Sequence, residues 1–189
     1  MSTNDDSTVP LAAKSEKDHA FDFEERVGDA RQCKVYGADA HKAKDFKRAI
    51  ELYERALYHA EFDNLTWEHE FEEHHRNTVC QVRLPIYLNL AACFLAQDDA
   101  QRARDTCDLA LKIDSNNVKA LYRKGQALLI LDDPEEASKL LKKAAELNPQ
   151  DKAIRQAWNK CKEKLQILRQ EQKKRLGGFL VGKDIAEDN

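Results

Sequence analysis

LPIYLNLAACFLAQDDAQRARDTCDLALKIDSNN (residues 84–117) runs without a gap into VKALYRKGQALLILDDPEEASKLLKKAAELNPQD (residues 118–151), and each block is 34 residues long. Laid in register, the first places Leu90-Ala91, Phe94, Ala103, Cys107 and Ala110 where the second places Lys124-Gly125, Leu128, Ala137, Leu141 and Ala144, with Pro149 near its end. An earlier stretch, Ala30 to Asp63, offers Gly37, Ala40, Ala49, Tyr53 and Ala56 at the same offsets. A fixed period of this length is the signature of stacked supersecondary units that cannot bury their apolar faces alone. Small residues at offsets 8 and 20 let two antiparallel helices touch, and large ones at offsets 11 and 24 fill the groove that remains. Each block therefore reads as helix–turn–helix.

The turns fall at Ala43-Lys44-Asp45, Gln97-Asp98-Asp99 and Asp132-Asp133-Pro134. Pro134 suits the first turn of a helix, where its missing N–H costs nothing, and Asn148-Pro149 ends the last repeat sharply. The insertion, residues 64–83, separates the first repeat (30–63) from the second (84–117) and the third (118–151). Rich in Glu and His, it is expected to lengthen the neighbouring helices around a short loop, with Pro85 marking a kink or a helix start. Beyond Asp151, the 3–4 spacing of Ala153, Ile154, Ala157, Trp158, Cys161, Leu165 and Leu168 predicts a capping helix over 152–175, ended by Gly177-Gly178. The fold class is thus all-α: a three-repeat superhelix of antiparallel helix pairs with a seventh, capping helix. The domain spans 21–175, between an acidic leader (1–20) expected to be disordered and a flexible tail (176–189).

Composition agrees. The 189 residues include only 6 Gly and 4 Pro, with 42% apolar and 34% charged side chains. The net charge of −3 lacks the basic excess of a nucleic-acid binder. The most apolar stretch, Leu84 to Ala96, is broken by Pro85 and Asn89, so no transmembrane helix and no membrane insertion are expected. The polar, acidic N-terminus does not resemble a signal peptide. Five cysteines (Cys33, Cys80, Cys93, Cys107, Cys161), an odd number without a C-x-x-C pair, read as reduced packing residues in a cytoplasmic protein.

The repeats are similar to tetratricopeptide repeats, and residues 30–175 resemble the tetratricopeptide domain of co-chaperones, most closely that of the large immunophilins. The likeness rests on Lys34-x-x-Gly37, Asn89-Leu90-Ala91-Ala92-Cys93, Asp114-Ser115-Asn116-Asn117 and Lys119-Ala-Leu-Tyr-Arg123-Lys-Gly-Gln-Ala127, together with the insertion after the first repeat and the basic seventh helix. The isomerase domain that precedes this module in large immunophilins is expected to be absent, since only about thirty residues stand before the first repeat. The resemblance implies a carboxylate clamp that grips the C-terminal Glu-Glu-Val-Asp of cytosolic heat-shock chaperones of the ninety- or seventy-kilodalton class. Lys34, Asn89, Lys119 and Arg123 match four of its five members; at the fifth, Asn in many adaptors, this chain has Ala38.

The residues themselves point the same way. Lys119 and Arg123 are i and i+4 on one helix, and all four candidates fall on first helices of their repeats. Three cations and an amide suit a peptide's carboxylates, with Arg123 able to form a forked pair and the lysines acting as point charges. Read otherwise, they are ordinary solvated helix residues. The expected function is a non-enzymatic adaptor, without cofactor or metal; the alternatives are an accessory member of a peptidyl-prolyl isomerase family and a repeat scaffold for an unrelated protein.

Other patterns fail on chemistry. Gly177-x-x-x-x-Gly182-Lys183 lacks the Ser/Thr of a phosphate-binding loop, has Asp184 in its place, and follows no strand. His69-Glu70-x-x-x-His74 has i and i+5 spacing, whereas a zinc-binding helix face needs i and i+4. The basic, amphipathic stretch from Lys160 to Arg175 has the character of a calmodulin- or membrane-binding helix, but its apolar side is accounted for by capping the third repeat. No Ser, His and Asp constellation for nucleophilic catalysis is present.

Overall fold

The computed structural model describes residues 23–184, with side chains through Leu176. The described residues form seven α-helices: α1 (Phe23–Lys42), α2 (Phe46–His59), α3 (Glu73–Ala96), α4 (Ala100–Ile113), α5 (Val118–Ile130), α6 (Pro134–Leu147) and α7 (Lys152–Asp184). A single π-helical turn, Thr66–Glu70, lies between α2 and α3. No strand occurs among the described residues. Each repeat is an antiparallel pair (α1–α2, α3–α4, α5–α6), successive pairs stack on one another, and α7 packs on α6 with a lighter contact to α5.

The three intra-repeat turns share one construction. Lys44, Asp98 and Asp132, at the same repeat offset, take φ of 62°, 58° and 61°. The next residue's N–H reaches back to the carbonyl of Ala40, Phe94 or Leu128 at 2.8–3.0 Å, which satisfies an orphan carbonyl of the first helix. That next residue is Asp45, Asp99 or Asp133, and its carboxylate accepts the backbone N–H of Arg48, Arg102 or Glu136 to cap the second helix. Pro134 takes the first position of α6, where no N–H is needed.

The small residues do what close approach requires. A Cβ added to Gly37 would lie 2.7 Å from the Tyr53 ring, and one added to Gly125 would lie 2.7 Å from Leu141 Cγ. In the middle repeat the same two offsets hold Ala91 and Cys107, where the smaller second-helix side chain leaves room for a methyl group. Ala49, Ala103 and Ala137, at the other small offset, are completely buried.

The insertion departs from expectation. Only α3 is lengthened, by eleven residues before the second repeat, while α2 ends inside the first. Pro85 lies well within α3 rather than at a helix start. Its missing N–H would have bonded the carbonyl of Gln81, a solvent-exposed residue, so water can take that acceptor. The inserted segment is held by an aromatic cluster: Phe23 packs at 5.8 Å from Phe62, 5.3 Å from Phe71 and 4.7 Å from His75 between ring centroids. Arg26 lies over the Phe62 ring and donates to the carbonyls of Tyr58, His59 and Glu61, while Arg83 donates to Ala60. These two side chains terminate α2 in place of a glycine.

With its extension, α3 is long and apolar enough to cross a membrane by length and composition, contrary to the reading from Leu84–Ala96 alone. In this fold it is the central helix, with Val79, Val82, Ile86, Leu88, Leu90, Ala91, Cys93 and Phe94 buried. The third pair is closed by α7: Ile154 and Cys161 are buried, and Trp158 and Leu165 pack against the Leu128, Ala137 and Leu141 cluster. The end expected at Gly177-Gly178 does not occur; α7 continues to Asp184. Neither glycine adopts the left-handed conformation of a helix cap, so each acts only as a weak helix former at a cost of about 1 kcal/mol. The expected leader, 1–20, lies outside the described residues. All five cysteines are free, with Cys93, Cys107 and Cys161 buried and Cys33 and Cys80 half-buried.

Two substitutions test this geometry by thermal and urea unfolding. Gly125→Ala gains about 1 kcal/mol of helix propensity but overpacks Leu141 by about 1–3 kcal/mol, so the net effect is destabilising. Asp98→Gly relieves a left-handed side chain and stabilises the fold by about 0.5–1 kcal/mol.

Candidate functional site

The four candidates lie on the first helices, Lys34 on α1, Asn89 on α3, and Lys119 and Arg123 on α5. These three helices touch in succession, α1 on α3 and α3 on α5, so they form one continuous face. Lys119 is exposed; Lys34, Asn89 and Arg123 are half-buried, as is Ala38.

Arg123 ties two repeats together. Its Nη1 donates to the carbonyl of Leu88 at 2.9 Å, which sets the guanidinium beside the residue preceding Asn89. Burial lowers its pKa from the usual arginine value, partly offset by the neighbouring Cys107, Cys93 and Tyr122. None of these neighbours is a carboxylate, and Arg123 makes no ion pair among the described residues. The adjacent Lys124 is different: it is committed to Asp108 at 2.6 Å. Lys34 and Lys119 likewise make no ion pair among the described residues. The site is therefore a row of uncommitted cations, one of them partly desolvated.

Asn89 and α1 are linked through Tyr53. The Tyr53 ring lies under Gly37, one turn from Lys34, and its hydroxyl interacts with the Asn89 side chain as a hydrogen-bond partner. Tyr53 is only 1% exposed, and burial pushes its pKa up to about 12, with Cys93 adding to the rise and Asn89 opposing it. The repeat pattern had marked Tyr53 only as a large groove-filling residue; its hydroxyl had no signature, because the partner lies 36 residues away on another helix.

The discarded motifs have other roles. His75 Nδ1 accepts the Glu72 backbone N–H at 3.2 Å, so it serves the start of α3, and the His74 ring lies 3.8 Å from it. No group of three or more His, Cys, Asp or Glu side chains converges as a metal site among the described residues. The stretch Gly177 to Lys183 is helical within α7 and forms no phosphate-cradling loop.

The buried neutral groups give the fold a pH dependence. Burial raises Tyr53 to about 12, Cys93 to about 11 and Cys107 to about 12, above their ordinary values of 10.0, 9.0 and 9.0. Folding keeps each protonated where an unfolded chain would ionise it, so stability is full below about pH 9 and falls as pH rises toward 12. For Tyr53 alone the loss is about 2–3 kcal/mol. Urea unfolding at pH 8 and pH 11 should show this decline, and Tyr53→Phe should lessen it while the part due to Cys93 and Cys107 remains.

Comparison with known proteins agrees with the geometry. The tetratricopeptide repeat family model matches residues 94–161. Among curated proteins, the peptidyl-prolyl cis-trans isomerase FKBP42 of Arabidopsis thaliana is 30% identical over 85% of this chain, which spans 43% of that protein's length. Among solved structures, the myosin chaperone UNC-45 from C. elegans, determined in complex with a Hsp90 peptide, is 28% identical with a TM-score of 0.60, covering 72% of this chain and 14% of that one. The C-terminal tetratricopeptide-containing domain of a Plasmodium falciparum FK506-binding protein is 33% identical with a TM-score of 0.73, covering 80% of this chain and 97% of that domain. At 33% identity and with nearly the whole of that domain matched, the chain belongs to the tetratricopeptide-repeat domains of the FK506-binding-protein (immunophilin) family.

Proposed function

We propose that this chain is a non-enzymatic, cytoplasmic adaptor that holds the acidic C-terminal peptide of heat-shock chaperones of the ninety- or seventy-kilodalton class. Lys34, Asn89, Lys119 and Arg123 form the clamp. The observation that carries this reading is Arg123, a partly desolvated guanidinium with no carboxylate partner among the described residues. Removing a cation from water without a counter-ion is unfavourable, and an incoming carboxylate reverses that cost. One Nη is held by the Leu88 carbonyl, which fixes the plane of the guanidinium while its other donors remain for a forked pair. Lys119, one turn earlier on α5, and Lys34, on α1, supply point charges on either side, and Asn89 supplies an amide. The reading is supported by the similarity in fold to part of the myosin chaperone UNC-45, which was solved in complex with a Hsp90 peptide.

Binding is expected to be salt-sensitive and to require a free terminal carboxylate. Each charge-assisted hydrogen bond contributes about 1.5–3 kcal/mol, so Lys119→Glu or Arg123→Glu should abolish calorimetrically detectable binding of a Glu-Glu-Val-Asp peptide while circular dichroism stays unchanged. An amidated peptide that binds as well as the free acid would refute the clamp. Titration with the terminal peptides of the two chaperone classes ranks them, and a prolyl-isomerase assay on the same protein should show no turnover.

Ala38 supplies a second measurement. It lies at i+4 from Lys34, so its Cβ projects toward the same face. Asn there adds a donor worth about 1.5–3 kcal/mol before ordering costs, against a helix-propensity penalty below about 0.7 kcal/mol. Ala38→Asn should therefore tighten peptide binding about fivefold. A fall in melting temperature without that gain would make position 38 a packing site.

A further inference from the structure

A second cationic surface lies away from Lys34, Asn89, Lys119 and Arg123. Between α6 and α7 a groove of about 510 Å³ is bordered by Lys162, Arg169 and Lys173. None of the three has a carboxylate partner among the described residues; Lys162 lies 4.1 Å over the Trp158 ring. The contrast with Lys164 is direct, since that residue is paired with Asp132 at 2.6 Å. At about 100° per residue, Lys162, Arg169 and Lys173 fall within one narrow stripe, whereas Glu171 lies on the opposite side of the helix. The floor is Leu165, half-buried, and between the cations stand the amides of Gln166 and Gln170, with Ser138 of α6, whose hydroxyl is engaged by Cys161, on the far border.

We infer that this groove is a second docking site, for an extended, acidic, internal peptide segment of a partner protein. Three features select that occupant. The cations form a line, eleven residues or about 16 Å long, instead of converging on a point, so they match successive carboxylates and not one phosphate or one terminal carboxylate. That length equals five or six residues of extended chain. The side-chain amides of Gln166 and Gln170 between the charges offer both donors and acceptors, which match the alternating N–H and C=O groups of an extended peptide backbone. The exposed aromatic face that single-stranded nucleic acid would stack on is absent here, because Lys162 covers Trp158.

The test uses the whole chain, isotopically labelled, titrated with an acetylated and amidated hexaglutamate whose blocked end removes the terminal carboxylate the clamp requires. Amide shifts should saturate at Ser138 and along residues 162–173, and weaken with salt. Arg169→Gln combined with Lys173→Gln should reduce affinity at least about tenfold while leaving Glu-Glu-Val-Asp binding unchanged; Lys119→Glu should do the reverse. The inference fails if millimolar hexaglutamate gives no saturable shift, if the double variant binds equally well, or if the shifts centre on Lys119 and Arg123. It also fails if phosphatidylserine vesicles perturb the α7 stripe while hexaglutamate does not. Because the probe is blocked, loss of the clamp reading leaves this result standing, and the converse holds as well.

Discussion

The closeness of the two helices in each repeat is the constraint on which the rest depends. Gly37 and Gly125 have no Cβ because a Tyr53 ring and a Leu141 side chain occupy that space. A single methyl group at either place would force the facing Tyr53 ring or Leu141 side chain to shift against the tightly packed second helix. Since each pair contacts mainly its neighbours, such a displacement would pass to the next pair and shift the first helices against one another. The face that carries Lys34, Asn89, Lys119 and Arg123 is built from those first helices, so its geometry is set by residues that never meet solvent.

That packing also explains the electrostatics. Stacking α3 against α5 leaves Arg123 half-buried, with its guanidinium hydrogen-bonded to the Leu88 carbonyl. The surrounding thiols of Cys93 and Cys107 remain neutral, so they screen nothing. A cation held in this way is destabilising in isolation and responsive to an anion. Lys164 and Lys124, by contrast, have found Asp132 and Asp108 and are structural.

The inserted segment shows how a repeat array absorbs irregularity. Asn64 to Arg83 brings no second-helix pattern, and the chain solves its placement with Phe62, Phe71 and His75 around Phe23, plus arginines on the exposed carbonyls at the end of α2. The long α3 that results is apolar enough to resemble a membrane span, yet its burial comes from neighbours on both sides. Burial by protein and burial by lipid leave the same composition.

How much was legible depends on the range of the interaction. The 34-residue period, the proline opening α6 and the small residues at helix contacts are local or periodic, and the sequence by itself determined the helix pairs. The same period placed Lys34, Asn89, Lys119 and Arg123 on equivalent helices. Only the tertiary structure decided that Arg123 is braced by Leu88, that Tyr53 partners Asn89, that Pro85 is carried inside α3 and that α7 runs through Gly177-Gly178. Each of these turns on which groups meet across helices, or on whether water can replace a missing partner. A repeat pattern encodes neither, because burial and hydration are properties of the assembled stack.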